Sequence, residues 1–243
     1  MSIEFEQIRT EPAYRKVAAA LMERILDRTL RDGDRLPSET ELARQFGVNR
    51  STVREAVREL ESNGLVARRK GSKLLVVTRP QADRVAARVG HALVMHDVTY
   101  HDVWEALTVL EPPIAEMAAR KRTEADLAQI SGAAGNFATD NAETARAAFH
   151  AAEFFRIVGA ATHNRILMLA QEPLLQLLDA SLQRMLDKVP QSRARITAAQ
   201  RRITDAIRER DVETARAWMT RHIRDFRKGY ELAGIDLNGR VDD

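Results

Sequence analysis

The chain has 243 residues, enough for two modest domains that each bury a hydrophobic core. It has no cysteine, which excludes a disulfide framework and a thiolate metal site, and no apolar run long enough to span a membrane, so we expect a cytoplasmic protein with no membrane partner. The net charge of +3 is uneven: residues 1–79 carry 16 Lys and Arg against 12 Asp and Glu, while the remainder carries 22 against 23, which favours a polyanionic partner for the first part.

Three helices are predicted before residue 63. Apolar residues at helical spacing favour the first, from Tyr14 to Leu30. Ser38 followed by Glu41 is typical of a capping box that begins a second helix, which ends near Phe46. After a turn at residues 47–49, a third helix to Ser62 has a buried stripe of four residues: Val53, Ala56, Val57 and Leu60. Two short helices joined by a three-residue turn containing Gly form a helix-turn-helix pattern.

A β-hairpin is predicted directly after the third helix. Residues 65–69 and 74–77 have an extended pattern, and residues 70–73 supply the turn between them. A hairpin in this position is a wing, and residues 78–81 then resist helix formation and form a linker. The sequence therefore predicts a winged helix-turn-helix DNA-binding domain over residues 1–78 and a second domain over residues 79–243.

The second domain is predicted to be entirely helical. Thr123 with Asp126 is typical of a helix N-terminus, and Pro112 and Pro113 predict a bend. The predicted helices cover residues 82–96, 101–122, 124–138, 141–161, 164–171, 173–188, 192–210 and 212–233. Short connections favour an antiparallel bundle. The predicted fold class is mainly α, with an N-terminal winged helix-turn-helix that has a small β-hairpin wing and a C-terminal antiparallel all-α bundle.

The third helix carries polar side chains on the face opposite its apolar stripe: Arg50, Ser51, Thr52, Arg54 and Arg58. The first turn of such a helix enters the major groove, where arginine binds guanine O6 and N7. We predict that Arg50 and Arg54 read bases. A solvated basic face is the alternative, but the capped helix, the glycine turn and the hairpin together favour nucleic-acid binding.

The predicted wing adds further DNA contacts. Lys70 lies at its tip beside Gly71, where the backbone can approach closely, and is expected to enter the minor groove or contact phosphate. Arg68, Arg69 and Lys73 are expected to attract DNA without regard to sequence.

Four runs resemble the GntR-family DNA-binding domain: residues 33–39, 41–43, 47–57 and 64–66. The resemblance implies a dimer that binds a short inverted repeat in a promoter. It also adds four expected DNA-contacting residues: Arg35, Ser38, Thr40 and Asn49. Thr40 stands where the family usually has Arg, and the wing has one Gly where many relatives have two. The operator sequence is therefore expected to differ from the family's usual one.

The second half resembles the all-helical, FCD-like effector domain of the FadR-type branch of that family. The resemblance rests on several short matches: Leu110-Glu111, Phe149-His150, Asn164, Asp205-Ala206-Ile207 and Arg221-His222-Ile223. Many members of that branch hold a divalent metal with one Asp and three His and bind a small carboxylate on it. The corresponding positions here are Arg146, His150, Gln200 and His222, so the resemblance implies that two ligands are missing. We predict no tightly bound metal and no cofactor; a weak site at His150 and His222 stays open.

Helical spacing places these same four residues on inward faces, and a guanidinium beside two histidines repels a cation and favours an anion. We therefore predict an effector site for an organic acid or acyl compound, lined also by Trp104 and Glu111. Simpler alternatives exist: core histidines bonded to carbonyl groups, an ion pair between Arg146 and Glu111, and a Gln200 bonded within the core.

These patterns predict a ligand-responsive transcription regulator, a homodimer that represses from an inverted-repeat operator and releases it or rearranges when an effector binds. The sequence has no nucleophile elbow, phosphate-binding loop or His-Glu-x-x-His motif, so we predict that it is not an enzyme. The alternative is an architectural DNA-binding protein that needs no effector.

Overall fold

The computed structural model describes residues 11–69, 71–72, 74–139 and 143–241. The chain divides into two compact units, Met1–Gln81 and Ala82–Asp243; the sequence prediction put the boundary after residue 78. None of the helices in the described ranges is both long enough and apolar enough to cross a membrane.

Within its described residues, the first unit contains three helices and a two-stranded antiparallel sheet. The elements are α1 (Ala13–Leu26), α2 (Glu39–Phe46), α3 (Arg50–Ser62), β1 (Val66–Arg68) and β2 (Leu75–Val77). Val66 pairs with Val77 and Arg68 with Leu75. The apolar stripe of α3 lies at the centre of the core and contacts α1 and α2. The predicted winged helix-turn-helix is confirmed.

Helix α1 ends four residues earlier than predicted, at Leu26. The Asp27 carboxylate accepts a hydrogen bond from the Thr29 backbone N–H at 2.8 Å, and Arg28 adopts a left-handed conformation with φ of +66°. The local side-chain bond therefore replaces a further helical turn.

The predicted capping box of α2 forms only in part. The Ser38 hydroxyl accepts from the Glu41 N–H at 3.2 Å, which caps the helix. The Glu41 carboxylate accepts instead from the side chains of Arg44, at 2.6 and 3.0 Å, and Gln45, at 2.7 Å. Gly47 then ends α2 in a left-handed conformation with φ of +65°, which a residue without a Cβ adopts at low cost.

Residues 33–36 pair with β2, which the sequence did not predict. The Gly33 N–H donates to the Val77 carbonyl at 2.9 Å, and the Leu36 N–H donates to the Leu75 carbonyl at 3.0 Å. This pairing fixes the start of α2 against the wing. Gly33, Asp34 and Pro37 are residue types typical of turns, so the pattern of this segment does not predict an extended conformation.

The second unit contains seven helices within the described ranges: α4 (Ala82–Met95), α5 (Tyr100–Lys121), α6 (Glu124–Thr139), α7 (Thr144–Ala160), α8 (Arg165–Lys188), α9 (Ser192–Arg208) and α10 (Val212–Leu232). Helix α5 packs against α10, α7 against α8, and α6 against α7 and α9. Thr123 and Asp126 form the predicted cap of α6: the Thr123 N–H donates to the Asp126 carboxylate at 2.8 Å, and the Asp126 N–H donates to the Thr123 hydroxyl at 3.2 Å.

The predicted break before Pro173 is wrong, because α8 is continuous through it. A proline inside a helix leaves the carbonyl four residues earlier without its N–H partner. Here that residue is Leu169, which is 43% exposed. Pro173 itself is buried, so burial of its apolar ring offsets part of the cost of the lost hydrogen bond.

Candidate functional site

Helix α3 presents a basic face to solvent. Its stripe of Val53, Ala56, Val57 and Leu60 has no exposed surface. Arg50, Arg54 and Arg58 follow one another at four-residue spacing on the opposite side, and all three are exposed. The helix is therefore anchored on one side and open to a ligand on the other.

The other residues of the predicted DNA-binding set lie around this face. The exposed ones are Arg35, Ser38, Thr40, Asn49, Ser51 and Gly71, while Thr52 is half-buried. The Ser38 hydroxyl already caps α2, whereas the Asn49 side chain makes no capping bond to α3. Gly71 has a φ of +75°, as expected for the turn of a wing. Lys70 and Lys73 lie outside the described residues.

One carboxylate, that of Glu39, joins three arginines of this unit. Its Oε1 accepts a hydrogen bond from Arg68 Nη2 at 2.9 Å. Its Oε2 lies 3.5 Å from Arg50 Nε and 3.6 Å from Arg54 Nε. Arg68 also pairs with Glu61, with Nε and Oε1 3.1 Å apart. The Glu39 side chain is 12% exposed, whereas those of Arg50 and Arg54 are 60% and 47% exposed.

The Glu39 carboxylate is ionised at neutral pH. The hydrogen bond from Arg68 lowers the pKa of Glu39 below its ordinary value, against the effect of burial, and the charges of Arg54 and Arg50 lower it further. Sequence reasoning missed this cluster because Arg68 is 29 residues away along the chain. The only local signal is an acidic residue at the start of α2, amid basic neighbours.

In the second unit, Arg146 and His150 line one open pocket at the surface. Its other walls are Asn136 and Thr139 of α6. Arg146 is exposed and His150 is half-buried, so the prediction that both point into the core is wrong for Arg146. The buried stripe of α7 begins one residue later, at Ala147. At about 100° per residue, that offset moves a side chain from the interior to the edge of a helix.

Gln200 and His222 do lie in the interior. Gln200 has no exposed surface and His222 is 1% exposed. Both amide atoms of Gln200 and the Nε2 atom of His222 are without a hydrogen-bond partner among the described residues. The His222 ring stacks on Phe155, with centroids 5.3 Å apart, and contacts Phe226 at 4.7 Å. Burial lowers the pKa of His222 to about 3, so the imidazole is neutral at physiological pH.

The two remaining residues of the predicted effector site are also buried. Trp104 stacks on Phe226, with centroids 6.0 Å apart, and its indole N–H has no partner in the described part of the chain. The Glu111 carboxyl accepts from Gln171 Nε2 at 2.9 and 3.1 Å. The alternative ion pair between Arg146 and Glu111 is therefore wrong.

The residues at the metal-binding positions of the branch do not fit a divalent metal ion. A cation, Arg146, stands at the carboxylate position, and the amide of Gln200 replaces an imidazole. Arg146 is exposed, whereas His222 is buried. Within the described ranges, three or more His, Asp or Glu residues nowhere come close enough to hold a metal.

Two family models match the chain: bacterial regulatory proteins of the gntR family over residues 13–76, and the FCD domain over residues 102–225. The chain is 33% identical to the Uxu operon regulator of Haemophilus influenzae, over 67% of this chain and 59% of that protein. It is 36% identical to LutR, a helix-turn-helix transcriptional regulator of Bacillus subtilis, over 51% and 58% respectively. In both cases the chain spans less than two thirds of the relative's length.

Two other similarities extend over most of the chain. The Glc operon transcriptional activator of Escherichia coli K12 is 25% identical over 94% of this chain and 92% of that protein. The solved structure of a GntR protein of Streptococcus agalactiae has a TM-score of 0.65 and 25% identity, and the match covers 88% of this chain and 99% of that one. The Uxu, LutR and Glc relatives are named as transcription regulators or activators.

Proposed function

Because the chain belongs to the gntR family of bacterial regulatory proteins and carries an FCD domain, we propose that it is a ligand-responsive transcription regulator. It binds operator DNA through α3 and the wing, and an effector through the helical unit. The observation that carries this proposal is the exposed arginine face of α3 beside the β1–β2 hairpin.

The proposed DNA complex contains a homodimer on an inverted repeat, because two winged modules related by twofold symmetry read two half-sites. Repression stays a prediction, since one relative is named as an activator. Arg50 and Arg54 are the proposed base-reading residues. Arg58, Arg68 and Arg69 are exposed and supply attraction to phosphate.

Replacing Arg50 or Arg54 with Ala is expected to weaken binding to the operator by about 1–3 kcal/mol and to change binding to random duplex little, because a base contact is lost. The operator is the duplex that the wild-type protein selects from a random pool, and it should contain an inverted repeat. Binding is measured by fluorescence anisotropy at fixed salt concentration. Arg44→Ala is the matched control, since Arg44 is an exposed arginine on α2 paired with Glu41.

Equal losses on the operator and on random duplex would exclude base reading. A pool from which no sequence is enriched would favour the architectural alternative over a regulator.

The proposed effector carries a carboxylate or phosphate that binds Arg146 and His150 at the α6–α7 pocket. Arginine provides a planar set of donors that suits such a group. Gln200, His222 and Trp104 have unsatisfied polar atoms in the same bundle, and burying a polar atom without a partner costs free energy. Because Gln200 and His222 are buried and Arg146 is exposed, the bundle must repack for the remainder of the effector to supply those partners. Glu111 is left out of this proposal because Gln171 already bonds it.

Arg146→Ala is expected to weaken effector binding by about tenfold, corresponding to ~1.4 kcal/mol, because the charged donor is lost. The measurement is a thermal-shift screen of the wild-type protein against a library of organic acids and acyl phosphates, followed by titration of each hit on the variant. Arg201→Ala is the control, since Arg201 is an exposed arginine on α9 outside the pocket. A hit that binds Arg146→Ala as tightly as wild type would remove Arg146 from the effector site.

A further inference from the structure

We propose that Glu39 is a positioning residue that sets the sequence specificity of DNA binding by holding Arg50 and Arg54 in the conformations that read bases. The inference rests on the proposed DNA-binding function. Glu39 is the first residue of α2, directly after its cap Ser38, and Arg50 and Arg54 lie one turn apart on α3. A single carboxylate therefore links α2, the DNA-reading helix and, through Arg68, the first strand of the wing.

The geometry leaves both reading groups open to DNA. Glu39 approaches the Nε atoms of Arg50 and Arg54, which lie nearest the side-chain stem. The side chains are 60% and 47% exposed, so both arginines remain accessible from solvent. A bidentate contact with guanine needs two N–H donors of one guanidinium, which Arg keeps after one side of the group is held.

The carboxylate has two opposite effects on binding. Its negative charge repels phosphate and lowers the affinity for every duplex. It also restricts two long side chains that otherwise lose conformational entropy on binding, so contacts that need defined arginine conformations cost less. Contacts with phosphate need no single conformation. Glu39 therefore weakens binding to random DNA more than binding to the operator, which increases specificity.

Glu61, in the same cluster, provides a control with the same change of charge as Glu39. Glu61 pairs with Arg68 and, among the described residues, forms no ion pair with Arg50 or Arg54. Glu39→Gln and Glu61→Gln each remove one negative charge, but only the first releases the arginines of α3. Glu39→Asp keeps the charge on a side chain shorter by one methylene and serves as the conservative variant.

The experiment measures dissociation constants of wild type and the three variants for the selected duplex and for random duplex, across a range of salt concentrations. Glu39→Gln is expected to bind random duplex several-fold more tightly and to lower the ratio of specific to random affinity by about tenfold. Glu61→Gln should tighten binding to both duplexes and leave the ratio within about twofold of wild type. Glu39→Asp should recover part of the ratio.

A second measurement needs no DNA. The ¹⁵N relaxation of the Arg Nε–H groups in the uncomplexed protein should report greater motion of Arg50 and Arg54 in Glu39→Gln, with both groups unaffected in Glu61→Gln. If the two glutamine variants change the affinity ratio equally, or if the Arg50 and Arg54 signals do not change, Glu39 does not position them. A ratio that rises in Glu39→Gln would mean that Glu39 competes with DNA for the arginines, which also overturns the proposal.

The failure of this inference differs from that of the proposed function. If the wild-type protein selects no sequence from the random pool, the proposed regulator function is wrong, and so is the proposed role of Glu39 in specificity. If it selects a sequence and Glu39→Gln keeps the wild-type ratio, only the role of Glu39 is wrong.

Discussion

The free-energy cost of one buried carboxyl group in the helical unit is expected to decrease as the pH falls from 8 to 5. Below about pH 6.5 the buried His222, whose pKa is lowered to about 3, has the opposite dependence. Glu111 has no exposed surface, and burial raises its pKa to about 8, although the hydrogen bond from Gln171 opposes the shift. In the unfolded chain, a glutamate titrates near its ordinary value of about 4.3. Between these two pKa values, folding requires uptake of one proton.

The sign follows from this proton balance. Below about pH 4, Glu111 is protonated in both the folded and the unfolded state and does not lower the free energy of unfolding. Between the two pKa values, the folded state holds one proton more than the unfolded state, so the free energy of unfolding falls by about 1.4 kcal/mol for each unit rise in pH. Above pH 8, Glu111 is ionised in both states, so its effect on the free energy of unfolding no longer changes with pH. At pH 7 it amounts to roughly 4 kcal/mol.

Glu111→Gln is expected to remove this dependence and to stabilise the helical unit at pH 7 by up to about 4 kcal/mol, because the amide resembles the protonated acid. Urea denaturation at several pH values measures it. Tryptophan fluorescence reports on the correct unit, since both tryptophans of the chain, Trp104 and Trp218, belong to it. The quantity compared is the difference between variant and wild type at each pH, which cancels the other titrating groups.

Glu116→Gln is the control, on the same helix. Hydrogen bonds from Arg216 and Arg120 lower the pKa of Glu116 in the folded state. Ionised Glu116 therefore stabilises the folded state at neutral pH, and this stabilisation is lost as the pH falls through the lowered pKa. Its removal should therefore reduce stability at pH 7 slightly. A difference for Glu111→Gln that does not change between pH 5 and 8 would show that Glu111 ionises normally in the folded protein.

The sequence predicts those parts of the molecule that depend on residues close together in the chain. The stripe of α3, the cap at Thr123 and the hairpin after residue 64 are all local patterns, and each appears in the structure. The exposed face of α3 follows from its buried face, because a helix with one side packed leaves the other to solvent.

The remaining features depend on contacts between distant residues or on small differences in angle. Arg68 and Glu39 meet because the wing folds back beside α2, and nothing in either segment alone indicates this. Arg146 lies beside the first buried residue of α7, so an offset of one residue decides whether it faces the core. The Gln171 bond to Glu111 spans 60 residues and requires the packed bundle.

Arg122 lies between two helix ends, and its loss is expected to destabilise the helical unit. Arg122 is 7% exposed; its Nε donates to the Ile207 carbonyl at 3.3 Å and its Nη2 to the Arg208 carbonyl at 2.7 Å. Both carbonyls belong to the last turn of α9, and that of Ile207 also accepts from the Arg210 backbone N–H at 3.2 Å. Its Nη1 contacts Glu124.

Arg210 makes the reciprocal contact, because its Nη1 and Nη2 each donate at 3.0 Å to carbonyls at the end of α5, those of Arg120 and Arg122. Arg122 therefore caps the end of α9, and Arg210 caps the end of α5. Positive charge at a helix C-terminus is also favourable.

Arg122→Ala is expected to lower the free energy of unfolding of the helical unit by about 2–3 kcal/mol, because it removes charge-assisted hydrogen bonds to two carbonyl groups at the end of α9, of which only that of Ile207 keeps a backbone donor. Arg122→Lys should recover little, since one ammonium cannot reproduce the two directions of a guanidinium. Arg120→Ala is the control: Arg120 is 62% exposed and pairs with Glu116 one turn away, so its loss should cost less than about 0.5 kcal/mol. Urea denaturation followed by tryptophan fluorescence measures all three. Equal losses for Arg122→Ala and Arg120→Ala would show that the buried guanidinium stabilises the bundle no more than a surface charge does.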